Sequence, residues 1–171
     1  MKQATFNHYE RAFGNWLRDN RVQYVAVDEQ KRLAFGKSNL KSFDYLVTLP
    51  DQPVIIAEVK GRSFKGKSLD GLKGLECWVT ADDVDGLSQW QEVFGSGHRA
   101  AFIFAYKIEN IDVDLDGRET YEYDGAPYIF FCVRLDDYRQ YMRLRSPRWK
   151  TVTLPAAKFR QCAIQMQSLL A

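Results

Sequence analysis

Four apolar residues, Val54-Ile55-Ile56-Ala57, lead directly into Glu58-Val59-Lys60 and stop at Gly61-Arg62. Side chains alternate along a strand, so Glu58 and Lys60 share one face, about 6.6–6.8 Å apart. A fold that buries the apolar half of this strand must carry two charges to the rim of its interior. Such charges are costly unless they are paired, hydrogen-bonded or bound to a metal. Two accounts satisfy that requirement: an ordinary ion pair, or part of an active site.

The surrounding pattern limits where the strand can sit. Tyr9, Phe13, Trp16 and Leu17 recur at i, i+4, i+7 and i+8 and predict a helix from Asn7 to about Asn20. Glu10 borders that apolar stripe. Either it closes a capping box with Asn7 or it points over the stripe's edge toward a site on the sheet. Val22–Asp28 and Leu33–Phe35 read as strands around a polar turn at Glu29–Arg32. Phe43 to Leu49 alternates, with Phe43, Tyr45, Val47 and Leu49 on one face and Asp44, Leu46 and Thr48 on the other. Pro50-Asp51-Gln52-Pro53 then turns the chain into the Val54 strand. A hairpin that short brings Asp44 level with Glu58. Asp44 is thus either a third charged member of the strand end or a residue of the strand's entry turn.

Residues 61–75, rich in Gly and Lys, predict a loop, followed by a strand-like piece at Glu76–Thr80. Val84, Leu87, Trp90 and Phe94 predict a helix over Asp82–Phe94 that stops at Gly95. Ala100–Ile108 is almost continuously apolar, as in a central strand covered on both faces. Further strands at Tyr128–Leu135 and Thr151–Leu154, a short helix at Asp136–Leu144, and a last helix with Pro155 at its first position complete the reading. Helices interleaved with strands around a buried strand indicate an α/β sandwich. One domain spans residues 1–171, with a core at 5–108 and an extension at 109–171 packed on it.

With 46% hydrophobic and 27% charged residues, the chain has the composition of a soluble globular protein. Its net charge of +2 excludes a polybasic nucleic-acid sponge, yet the charge is unevenly spread. Residues 138–171 hold seven basic and no acidic residues, while 109–124 hold seven acidic residues and one Arg. That asymmetry suits an anionic partner on one surface, or solvated faces that offset each other. Tyr138, Arg139 and Tyr141 through Arg148, Trp149 and Lys150 interleave aromatic and basic side chains. The strip either binds phosphates and stacks bases, or has core aromatics with charges snorkelling from it. Three separated cysteines and two histidines cannot assemble a zinc site at usual spacings. With no signal region and no apolar run near 18 residues, the expected setting is reducing and cytoplasmic, without a membrane.

Two carboxylates and an amine at one strand end suit metal-assisted phosphodiester hydrolysis. Carboxylates hold Mg²⁺, which keeps several waters, and an ammonium stabilises charge developing on the phosphate. The residues Tyr9-Glu10-Arg11, Phe43-Asp44-Tyr45 and Ile56-Ala57-Glu58-Val59-Lys60-Gly61-Arg62 resemble the PD-(D/E)xK phosphodiesterase superfamily, which includes restriction endonucleases and archaeal Holliday junction resolvases. The resemblance covers roughly Asn7 to Ile108. It implies a restriction endonuclease-like sandwich, a central mixed sheet flanked by helices, with a C-terminal strand and helix extension. By the same resemblance, Asp44, Glu58 and the Val59 carbonyl bind Mg²⁺ or Mn²⁺, Lys60 acts on the attacking water, and Glu10 is an auxiliary acid. The implied partner is nucleic acid, expected to be DNA. Arg62, Lys65 and Lys67 of the basic loop, Gln89 and Gln91 of the second helix, and Arg148 and Lys150 are candidate contacts to it. A homodimer would allow both strands of a duplex to be cut. A catalytically inactive binding or scaffold domain on the same fold is the alternative.

Two motifs compete. Gly61–Ser68 matches the P-loop pattern G-x-x-x-x-G-K-[ST] after a strand, but Gly71 and Gly74 follow where a helix must open. Asp112, Asp114, Asp116 and Gly117 resemble half of an EF-hand loop whose last ligand position holds Tyr123. A surface turn accounts for them better.

Overall fold

The apolar strand at Val54 lies at the centre of a sheet, and its neighbours determine which way each charge points. A computed structural model describes residues 7–27 and 41–170. The elements are α1 (His8–Asp19), β1 (Gln23–Ala26), β2 (Tyr45–Thr48), β3 (Val54–Phe64), β4 (Val79–Thr80), α2 (Ala81–Phe94), β5 (His98–Ile108), β6 (Tyr121–Tyr123), β7 (Ala126–Arg134), α3 (Leu135–Tyr141), β8 (Arg143–Ser146), β9 (Thr151–Thr153), α4 (Ala156–Cys162) and β10 (Ile164–Gln165). The strand expected at Leu33–Phe35 lies outside the described residues.

Among the described residues the main sheet runs β1-β2-β3-β5-β7-β10, with β6 also paired to β7. β3 and β5 are parallel from Val54↔His98 to Phe64↔Ile108, and the other pairings are antiparallel. The sheet is therefore mixed, with helices on both faces, as the order of elements predicts. α1 covers one face with Ala12, Phe13, Trp16 and Leu17 against Tyr45, Val47, Ala57 and Ile103. The other face carries Val84, Leu87 and Trp90 of α2, Tyr138 of α3 and Phe159 of α4 against Ile56, Phe102 and Phe104. β7 extends the sheet on the far side of β5, so residues beyond 109 supply part of the central layer. A smaller sheet, β4-β9-β8, lies beside it.

Two local expectations change. β3 continues to Phe64 instead of ending at a loop after Gly61, because Gly61–Phe64 pair with Ala105–Ile108. Gly61 serves close packing: a Cβ there would lie 2.1 Å from the Tyr9 ring. Second, the β2 strand starts at Tyr45, with a bend at Asp44. The bend sends Phe43 to the opposite face from Tyr45, where its ring meets Trp90 and Phe94 at 5.2 and 5.9 Å.

Candidate active site

Alternation along β3 sends Ile55, Ala57 and Val59 toward α1, and Ile56 and Phe64 toward α2. Glu58 and Lys60 share the parity of Ile56 and Phe64 and so face the α2 side of the sheet. A cleft of about 530 Å³ opens at this level, lined by Glu10, Asp44, Glu58, Val59, Lys60 and Arg62 among others. Asp44 at the entry to β2 and Glu58 and Lys60 of β3 thus line one cleft, and Glu10 of α1 also lines it.

Backbone pairing holds Asp44 at the bend: its N–H donates to Ala57 O at 3.0 Å, and Val27 N–H donates to its carbonyl at 2.9 Å. Its carboxylate turns inward, where Oδ2 accepts the Val59 N–H at 2.8 Å. Asp44 and Glu58 are both buried. Burial, reinforced by Asp83 and Asp44, pushes the Glu58 carboxyl up to about 7, although Lys60 Nζ lies 3.4 Å from its Oε1 and pulls the other way. Desolvation therefore outweighs the ion pair at this carboxylate.

Lys60 also reaches Asp83 Oδ2, at 2.9 Å. Burial opposes its positive charge, but Glu58 and Asp83 prevail and raise its pKa, so the amine stays protonated at neutral pH. Asp83 shows the same competition in reverse. Burial alone would raise it, yet Lys60, the Lys41 hydrogen bond and the Thr80 amide bring it down to about 2. Asp83 also ion-pairs with Lys41.

Asp83 is the member that sequence reasoning missed. It belongs to the first turn of α2, where Thr80 Oγ1 accepts the Asp83 N–H and Asp83 Oδ2 accepts the Thr80 N–H, both at 3.0 Å. The signal was available as Thr80-x-x-Asp83 ahead of an apolar stripe, a capping-box spacing with Asp in place of Glu. Glu10 splits between its two readings. Asn7 caps α1 through the Glu10 N–H at 2.9 Å, while Asn7 Nδ2, and not its backbone amide, donates to Glu10 Oε1 at 3.3 Å.

The expected nucleic-acid contacts are dispersed. Arg62 lines the cleft but donates to Gly61 O and Trp78 O at 2.8 and 2.6 Å and stacks on the Trp78 ring. Lys65 and Lys67 are exposed beyond the end of β3, roughly 16 Å or more along the chain from Lys60. Gln89 is exposed on α2. Gln91 ties α2 to its neighbours, accepting the Ala100 N–H at 2.7 Å and donating to Asp136 at 3.0 Å. Arg148 and Lys150 are exposed in the turn between β8 and β9.

Neither competing motif gains support. Residues 61–64 are strand, and beyond Ser68 comes a three-residue 3-10 turn, Asp70–Leu72, with Gly71 at φ 67°, where a P-loop needs a helix. In the acidic loop, Asp114 accepts from Ser68 Oγ and Asp116 N, and Asp116 pairs with Arg118. Among the described residues no three His, Cys, Asp or Glu converge as a ready metal cage. At the cleft, the buried carboxylates of Asp44 and Glu58 both offer hard oxygen atoms, and burial drives the Glu58 carboxyl up to about 7. They fit Mg²⁺, which takes one or two carboxylates and keeps waters. Among the described residues no helix is long and apolar enough to cross a membrane.

The fold belongs to the restriction endonuclease-like class of mixed-sheet α/β sandwiches. A solved structure that shares it is Hjc, a Holliday junction resolvase from the archaeal hyperthermophile Archaeoglobus fulgidus, with a TM-score of 0.55 at 15% identity. The match covers 97% of this chain and 100% of that one. No protein-family model matches the chain, and no curated protein matches it by sequence.

Proposed function

We propose that this protein is a divalent-metal-dependent nuclease that hydrolyses phosphodiester bonds in nucleic acid, with DNA as the substrate. The reading rests on one observation: Asp44, Glu58 and Lys60 line a single cleft, with Glu58 held at a buried position that favours its neutral form. A cation held by these carboxylates would offset that penalty, because the field it adds favours ionised Asp44 and Glu58. The neighbour's description as a Holliday junction resolvase supports the same chemistry.

In this reading Asp44, Glu58 and the Val59 carbonyl would hold Mg²⁺ or Mn²⁺. The bound ion supplies a polarised phosphoryl oxygen and an acidified water. The protonated Lys60 ammonium orients the attacking oxygen and stabilises charge that grows on the phosphate in the transition state. Asp83 and Glu58 fix that ammonium from two sides. Glu10 is the auxiliary acid of the cleft wall. Arg148 and Lys150, with Lys65 and Lys67, contact phosphates farther along the substrate. Two copies of the chain would cut both strands of a duplex, and a reducing cytoplasmic setting suits the buried free cysteines Cys77, Cys132 and Cys162.

The test is a cleavage screen over duplex, branched and single-stranded DNA and RNA with Mg²⁺ or Mn²⁺. Wild type is run beside Glu58→Ala and Lys60→Ala. Cleavage by wild type that both substitutions abolish is the expected result; undiminished cleavage by Glu58→Ala removes the assignment.

A further inference from the structure

β8 and the turn that follows it carry nearly every side chain in solvent, while Thr151 of β9 is buried. Residues 143–150, Arg-Leu-Arg-Ser-Pro-Arg-Trp-Lys, contain four cations and no acid. Ser146 is half-buried and the other seven are exposed. Trp149 at the turn is 68% exposed and Leu144 65%. A tryptophan in that position adds nothing to the core, and Arg148 lies against its ring at 5.1 Å. The adjoining residues 76–82 offer two acids, Glu76 and Asp82, against the four cations.

The hairpin is not an isolated arm. Thr151 of β9 pairs with Thr80, the N-cap of α2, and Ala81 N–H donates to Lys150 O at 2.8 Å. Three residues after Thr80 comes Asp83, the partner of Lys60. Along that path, through two turn residues, one strand spacing and one helical turn, Trp149 lies within roughly 18 Å of Asp83. A second link runs through Trp78, on whose ring both Arg62 of the cleft and Arg145 of the hairpin stack, at 4.2 and 4.8 Å. The register of β8 on β9 shifts between Leu144 and Ser146, leaving Arg145 as a bulged residue. Bulges re-aim a side chain, and this one carries Arg145 to Trp78.

We infer that the β8–β9 hairpin is a stacking platform for an unpaired nucleotide, reached by a strand that leaves the cleft, with Trp149 under the base and Arg143, Arg148 and Lys150 on the phosphates. The inference rests on the nuclease reading and adds to it a preference for DNA with a single-stranded segment beside the scissile phosphate. An exposed π-face among cations accepts any base that is free of its partner, whereas a paired base in an intact duplex does not present its face.

Binding is measured by fluorescence anisotropy in EDTA, so that no cleavage occurs. The probes are a blunt duplex and the same duplex with a single-stranded overhang. Wild type binds the overhang DNA more tightly. Trp149→Ala lowers that affinity by about 5- to 150-fold while blunt-duplex affinity changes little, and Trp149→Phe retains most of the preference. Arg143→Ala with Arg148→Ala weakens both DNAs and flattens the slope of log affinity against log salt by about one for each phosphate that is no longer neutralised. Circular dichroism melts confirm that these solvent-exposed variants stay folded. Equal wild-type affinity for the two DNAs, or unchanged overhang binding by Trp149→Ala, overturns the platform and leaves the nuclease reading standing. Wild type that binds neither DNA also overturns the platform, and the cleavage screen with Mg²⁺ or Mn²⁺ decides the nuclease reading separately.

Discussion

Glu58 carries an electrostatic cost in the cleft. Its carboxyl binds a proton more tightly in the folded protein, at about 7, than in the unfolded chain near the ordinary value of 4.5, chiefly because burial disfavours the charge. Folding therefore takes up a proton between those values, and stability falls as pH rises from about 4.5 through 7. The shift corresponds to a loss on the order of 3 kcal/mol. Glu58→Gln should remove this slope: urea midpoints of variant and wild type should agree near pH 5 and diverge by pH 8 in favour of the variant. Parallel curves across that range would show that Glu58 ionises without cost. Asp44, equally buried, is satisfied differently, because the Val59 amide donates to its carboxylate. The alternation of β3 made Glu58 and Lys60 visible as a pair from sequence. The short hairpin likewise brought Asp44 level with Glu58 in the sequence, as a site member or an entry-turn residue. That Phe43 leaves the face of Tyr45 was not legible, since the bend at Asp44 breaks the alternation of β2.

At the scale of elements, α2 decides how the cleft is charged. Its capping box uses Asp83 both to close the helix and to hold Lys60 and Lys41. Two substitutions separate these roles. Thr80→Ala removes only the cap and should cost about 1 kcal/mol with cleavage unchanged. Asp83→Ala also strips a buried partner from Lys60 and should cost about 2–4 kcal/mol, with cleavage falling at least tenfold as the ammonium loses its orientation. Urea midpoints and initial rates measured side by side distinguish the two; equal effects would make Asp83 a cap and nothing more. The helix was legible from the spacing of Val84, Leu87 and Trp90, and the 43–60 hairpin from its turn. What Asp83 faces was not legible, because a capping pattern specifies a helix end without specifying which sheet residue lies above it.

Over the whole molecule, two sheets have to act as one surface if a strand is to pass from the cleft to the hairpin. Tyr138 joins them. Its fully buried ring packs on Phe102 of the main sheet, and its hydroxyl reaches Cys77 O at 2.7 Å and Val152 O at 3.2 Å. Tyr138→Phe keeps the packing and leaves those carbonyls short of a donor, at a cost of about 1–3 kcal/mol. The small sheet should then loosen before the main one. Trypsin should cut within Arg143–Lys150 sooner in the variant, by more than the fall in global stability explains. Cutting rates that merely track the urea midpoint would mean that the two sheets already unfold as a unit.

Sequence alone determined the local features of this protein. Helical and strand periodicities, the short hairpin and the charged end of β3 follow from the order of side chains, because alternation and the 3.6-residue turn are properties of neighbouring residues. Tertiary structure decided which of those residues meet. The parallel register of β3 on β5, the placement of β7 beside them, the continuation of β3 past Gly61 beneath the Tyr9 ring, and the approach of Asp83 to Lys60 all join segments far apart in the chain. Such contacts depend on how apolar faces of different elements pack together, and periodicity within one segment carries no record of its partner.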